Sequence, residues 1–101
     1  MNTTNNTSSV LDMVRGGAFL VDVRSAEEFQ TGSAPGAVNI PLNEIPGSLA
    51  KFQGKDAIVV FCRSGNRSGQ AQLFLKQNGI ANVVNGGTWM DVANLVQQAA
   101  Q

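Results

Sequence analysis

A single cysteine stands in the segment FCRSGNRS, Phe61 to Ser68. Around it lie Arg63 and Arg67, Gly65 and Asn66, and the serines Ser64 and Ser68. A thiol in that company has one of two characters. It is a small buried hydrophobe that happens to precede a turn, or a nucleophile in an anion-binding loop. Gly65 admits the positive φ that a tight loop needs. Such a loop turns successive backbone N–H groups inward, and a helix that follows adds unpaired donors and a partial positive charge. Two guanidinium groups add full charges. In surroundings of this kind cysteine pKa values fall from about 8.5 to roughly 3.5–7.5, so the thiolate forms without a general base. Taken alone, each arginine is more often a solvated surface charge.

The rest of the composition narrows the chemistry. The 101 residues include no histidine, which excludes a Ser-His-Asp or Cys-His arrangement. One cysteine excludes an internal disulfide. Without histidine, one cysteine also leaves no ligand set for zinc or another transition metal, and no metal or cofactor is expected. Seven basic residues balance seven acidic ones, so no net field points to nucleic acid or an anionic membrane. No apolar run reaches the roughly 18 residues that span a bilayer. The start, MNTTNNTSSV, has neither a basic n-region nor an apolar h-region. The expected compartment is the cytoplasm, or the periplasm if a leader has been removed.

The elements that must position the cysteine follow from the apolar pattern. Residues 1–8 are Asn/Thr-rich and are expected to be a disordered tail, with one domain over 9–101. Ser9 opens a short helix with Val10, Met13 and Val14 on one face, ended by Gly16-Gly17. AFLVDV, Ala18 to Val23, is a nearly continuous apolar run, as in a strand buried on both faces of a parallel sheet. Ser25 and Glu28 form a capping box for a second short helix. A short strand is predicted around Val38 to Ile40, a helical turn or two within Asn43 to Phe52, and a buried strand at AIVVF, Ala57 to Phe61. Ser68 to Asn78 carries Ala71, Phe74 and Leu75 at helical spacing, with Gly79 and Ile80 placed for a Schellman cap. NVVN, Asn82 to Asn85, reads as a strand, Gly86-Gly87 as a turn, and Thr88 to Ala100 as a helix. Met13 and Met90 read as core filling. Strands alternating with helices imply an α/β domain with a mostly parallel sheet of four to five short strands, flanked by helices on both faces. Cys62 then falls where the buried strand AIVVF ends, outside the carboxyl ends of strands where open α/β sheets build their sites.

Loop length separates this cysteine from other anion-binding ones. Cys62 and Arg67 have four residues between them, and position 68 is serine. Cysteine-dependent phosphatases and the related arsenate reductases resemble a pattern one residue longer, wide enough to wrap a tetrahedral oxyanion. The shorter loop suits one extra sulfur atom on Cys62.

Three blocks together give the chain its resemblance to single-domain rhodaneses: LVDVRSAEEFQTGSAPGAVNIPL, VVFCRSGNRSGQAQLFLKQNGIANV and NGGTWMDV. The resemblance implies a rhodanese-like domain and sulfurtransferase activity. Cys62 would be the nucleophile that takes the outer sulfur of thiosulfate as a persulfide and passes it to cyanide or a thiol. The backbone N–H groups from Arg63 to Ser68 would cradle that sulfur, with Arg63 and Arg67 attracting the anionic donor. Ser64, Asn66 and Ser68 would hydrogen-bond within the loop around Gly65. Asp22 and Arg24, ending the neighbouring strand, are candidates to orient a loop arginine, or form a plain structural pair. Glu27 and Glu28 read as charges complementing a helix N-terminus, and Trp89 as packing at the core or at the mouth of the site. The expected partners are a small anionic sulfur donor and a thiol or cyanide acceptor, with a protein acceptor as the alternative. A non-catalytic binding module is a further alternative. Two departures stand out. Ser33-Ala34 occupies a place where the family often has histidine and an apolar residue, and the tail offers no candidate for the usual N-terminal edge strand.

Overall fold

The structure, a computed structural model, describes residues 4–101, with side chains from Val10 onward. Four parallel strands form one sheet in the order β2-β1-β3-β4: β1 Phe19–Asp22, β2 Val38–Asn39, β3 Ile58–Cys62 and β4 Val83–Thr88. Helices α1 (Thr4–Arg15), α2 (Ala26–Gln30), α3 (Asn66–Gln77) and α4 (Trp89–Ala99) connect and cover it, with a 3₁₀ segment over Leu42–Lys51.

The two central strands show why the apolar runs were continuous. Val21, Ile58, Val60 and Cys62 point to one face, where Ile45 of the 3₁₀ segment and Ala71 and Leu75 of α3 meet them. Leu20, Val59 and Phe61 point to the other, against Val10 of α1 and Val92 and Leu95 of α4. Each strand thus alternates sides with a period of two while burying both. The Schellman cap of α3 forms as expected. Ile80 N–H bonds Leu75 O at 2.9 Å and Gly79 N–H bonds Lys76 O at 3.2 Å, with Gly79 at φ +87°.

Several expectations need correction. Of the tail expected over residues 1–8, residues 1–3 lie outside those described, and α1 already runs from Thr4. Thr and Asn are weak helix formers, which is why the sequence signal began only at Ser9. Helix α3 begins at Asn66, ahead of Ser68. Gly86-Gly87 is no turn. The strand runs through it with a bulge, so that Val60 pairs with Asn85 but Phe61 with Gly87. A Cβ on Gly86 would come within 2.8 Å of both Val59 and Val92, so only glycine lets β4 pass between sheet and α4. Met90 does not fill the core; it is 53% exposed.

Candidate functional site

Cys62 is the last residue of β3 and is 0% exposed. In burial alone it matches the small hydrophobe. Its sulfur, however, faces polar donors. The Gly65 backbone N–H donates to Sγ at 3.0 Å, and the Ser68 Oγ lies 3.4 Å from it.

The geometry follows from how α3 starts. Its N-cap is Gly65, at φ +96°, in the left-handed region glycine favours. A glycine has no side chain with which to cap the orphan N–H groups of the first turn. The Cys62 sulfur lies at this helix start, accepting from the Gly65 N–H at 3.0 Å and standing 3.4 Å from the Ser68 hydroxyl. Burial pushes the Cys62 thiol up. When the Ser68 hydroxyl turns its proton to the sulfur, that bond and those from the backbone N–H groups of Ser68, Ser64 and Gly65 outweigh burial, and the pKa comes down from 9.0 to about 7. Hydrogen-bond dipoles thus lower the thiol pKa in spite of its burial.

The remaining loop residues fall into two groups. Ser64, Asn66 and Arg63 are exposed. Asn66 N–H reaches Ser64 Oγ at 3.4 Å, and the Arg63 side chain forms no ion pair among the described residues. Arg67 turns back to α2, where its Nη1 and Nη2 donate to Glu28 Oε1 and Oε2 at 2.7 and 3.1 Å. Glu28 also closes the predicted capping box, accepting from Ser25 N–H at 3.1 Å while Glu28 N–H donates to Ser25 Oγ at 3.2 Å. The Arg67 guanidinium and the Ser25 N–H hold Glu28 at about 2, below its ordinary 4.5. The sequence marks Glu28 as a capping-box partner and a helix charge, not as a partner of Arg67. Its tie to the cysteine loop joins positions 39 apart, beyond any local pattern.

Asp22 and Arg24 lie beside the loop but are bound to each other. Arg24 Nε donates to both carboxylate oxygens at 3.0 Å and Nη2 to Oδ2 at 2.6 Å. Ser33 Oγ donates to Asp22 Oδ2 at 2.7 Å, so the serine that departs from the family pattern satisfies this buried carboxylate. Arg24 Nη2 also donates to Gly32 O at 2.6 Å, and its guanidinium sits 5.0 Å from the Trp89 ring centre. Asp22 thus holds Arg24, not a loop arginine. Trp89 packs over that pair and against Gly32, where an added Cβ would lie 3.5 Å from its ring.

One residue of the site gave no signal in the sequence. The Asn85 amide on β4 donates to Gly65 O at 3.0 Å. Its Oδ1 accepts from Gly87 N–H at 2.9 Å and from Ser68 Oγ at 2.7 Å. The β4 bulge that sets Gly87 against Phe61 also aims this side chain at the loop.

No helix among the described residues is long and apolar enough to cross a membrane. Residues 6–88 match the rhodanese-like domain family. The chain is 37% identical over 75 residues to thiosulfate sulfurtransferase PspE of Escherichia coli (strain K12), covering 72% of each chain. It is 36% identical over 66 residues to the putative sulfur carrier protein YrkF of Bacillus subtilis (strain 168), covering 65% of this chain and 36% of that one. Among solved structures it superposes on the human single-domain sulfurtransferase TSTD1 with a TM-score of 0.71 at 30% identity, covering 83% of this chain and 88% of that one. A rhodanese with anions from E. coli gives a TM-score of 0.70 at 35% identity, over 76% and 93% of the two chains. With this fold, this cysteine loop and these relatives, the chain belongs to the rhodanese-like sulfurtransferase family.

Proposed function

We propose that the protein is a thiosulfate-type sulfurtransferase working through a persulfide on Cys62. The Cys62 thiolate attacks the outer sulfur of thiosulfate. A new S–S bond forms, the S–SO₃ bond breaks, and sulfite leaves with the bonding pair. Cyanide or a thiolate then attacks the outer sulfur of the persulfide, and the Cys62 thiolate returns as leaving group. The Gly65 N–H and the Ser68 hydroxyl beside the sulfur are the donors available to the persulfide anion. Arg63, exposed and unpaired among the described residues, attracts the dianionic donor. Arg67 is held by Glu28 and contributes field more than direct contact. Ser64 and Asn66 shape the loop mouth. Asp22 and Arg24 hold the end of β1 beside the loop, without contact to the sulfur.

The observation that carries this reading is the sulfur's position at the start of α3, in hydrogen-bond reach of the Gly65 N–H and the Ser68 hydroxyl although it is wholly buried. Incubation with thiosulfate followed by intact mass spectrometry tests it. A mass gain of one sulfur atom, reversed by a thiol and absent in Cys62→Ser, is expected. An unchanged mass with several sulfane donors contradicts it.

Transfer between proteins is the second reading, favoured by the similarity to the putative sulfur carrier protein. It uses the same persulfide but predicts poor turnover with free thiosulfate and rapid loading from a protein persulfide.

A further inference from the structure

The amide of Asn85 has its orientation fixed by backbone. Gly65 O can only accept, so it faces the NH₂; Gly87 N–H can only donate, so it faces Oδ1. That assignment dictates the proton positions beyond it. Ser68 Oγ lies 2.7 Å from Oδ1, a pure acceptor, so the single hydroxyl proton points to Asn85. At 3.4 Å on the other side of the same oxygen sits the Cys62 sulfur. In the neutral thiol the chain is therefore S–H to Ser68 Oγ, and Ser68 O–H to Asn85. When Cys62 ionises, the hydroxyl has one proton and two acceptors.

We propose that Asn85 is a positioning residue that competes with Cys62 for the Ser68 hydroxyl proton and so sets how readily the sulfur becomes and remains an anion. If the proton stays on Asn85, an oxygen lone pair faces the thiolate. If the hydroxyl rotates, the thiolate gains a donor and Asn85 Oδ1 keeps only the Gly87 N–H. The same choice recurs at the persulfide and again when Cys62 is the leaving group. Asn85 thus balances attack by Cys62 against its departure, since a more stabilised thiolate leaves faster but attacks less strongly. The charged groups around the sulfur are Arg63 and Arg67 on the loop and α3, Glu28 of α2 acting through Arg67, and the Asp22–Arg24 pair at the end of β1. The 3₁₀ segment keeps Glu44 and Lys51 in solvent, and β4 carries no titratable side chain.

This role rests on Cys62 being the reactive thiolate of the function proposed above. Its test uses no sulfur donor, so the two fail separately: absence of sulfur loading sinks the function, and the following titration decides the role of Asn85. The rate of Cys62 alkylation by iodoacetamide is measured against pH for Asn85→Leu, Asn85→Asp, Ser68→Ala and the Asn85→Leu/Ser68→Ala double variant. Leu and Asp both lose the donor to Gly65 O. Leu frees the Ser68 proton, while Asp holds it more tightly. The midpoint is expected to fall in Asn85→Leu by about one to two units, the worth of one hydrogen bond to a charged group gained by the thiolate. It is expected to rise in Asn85→Asp. In the Ser68→Ala background Asn85→Leu brings no fall. Should Asn85→Leu not fold, Asn85→Ala takes its place with the same sign. A residue that merely clamped the loop would move the Leu and Asp variants in the same direction, with or without Ser68. That result, or an unmoved midpoint, overturns the proposal.

Discussion

The Asp22–Arg24 and Glu28–Arg67 pairs join the same chemical groups at the carboxyl end of the sheet, with opposite exposure. The side chains of Arg24 and Asp22 are 4% and 0% exposed, those of Arg67 and Glu28 37% and 32%. The buried pair is short range in sequence and has its hydrogen-bonding capacity filled by Ser33, Gly32 O and the Arg24 backbone N–H. It holds two loops and the Trp89 ring together, away from the sulfur. The half-exposed pair spans the chain and ties α2 to the first turn of α3, which carries the loop. Burial makes the first pair rigid and costly to break. Exposure makes the second cheap to break.

Breaking the buried pair has the largest predicted effect. Asp22→Ala leaves Arg24 charged and unpaired in the core, at a cost of about 3–5 kcal/mol. Urea denaturation checks this, and a loss near zero would mean that Trp89 and Gly32 O alone satisfy Arg24. Next comes a charge held by dipoles and not by an ion pair. The folded pKa of Cys62, about 7, lies below its ordinary 9.0. Folding therefore favours the thiolate. Its stabilisation is complete above pH 9 and is lost as pH falls through 7, in total on the order of 3 kcal/mol. The difference in melting temperature between wild type and Cys62→Ser should grow in favour of the wild type over that window. A flat difference would mean that the sulfur is not held as an anion.

Smaller again is Glu28→Gln. It is expected to cost about 1 kcal/mol, combining a half-exposed ion pair with a weakened capping box. Glu28 titrates at about 2 against an ordinary 4.5, so its contribution is full above 4.5 and disappears as pH falls through 2. The smallest effect is that of salt. Ionic strength of about 1 M, where the screening length is roughly 3 Å, should erase much of the Glu28→Gln difference and leave that of Asp22→Ala unchanged. Equal salt sensitivity of the two would abolish the distinction between the pairs.

The contrast also shows what a single sequence discloses. The Ser25/Glu28 capping box, the Gly79–Ile80 cap and the burial of both central strands rest on residues a few positions apart, and they read directly. Placing Cys62 at a strand end before a helix followed from the same local rules. The Glu28–Arg67 pair and the Asn85 hub depend on which strands become neighbours, and nothing near either residue announces it. Of the two expectations for Asp22, orienting a loop arginine or forming a structural pair, the second holds, with Arg24 two residues away. Gly86-Gly87 looked like a turn because glycine signals freedom of the backbone. Here Gly86 serves instead the close approach of Val59 and Val92, a property of packing across the sheet.

The central claim is that amide and hydroxyl dipoles hold a buried, histidine-free thiol as an anion near neutral pH. The most direct measurement is the pH dependence of Cys62 alkylation in the wild-type protein, followed by mass. The expected profile is a single titration with its midpoint near 7. A midpoint at 9.0 or above, as for a thiol buried among hydrocarbons with no donors, would contradict it.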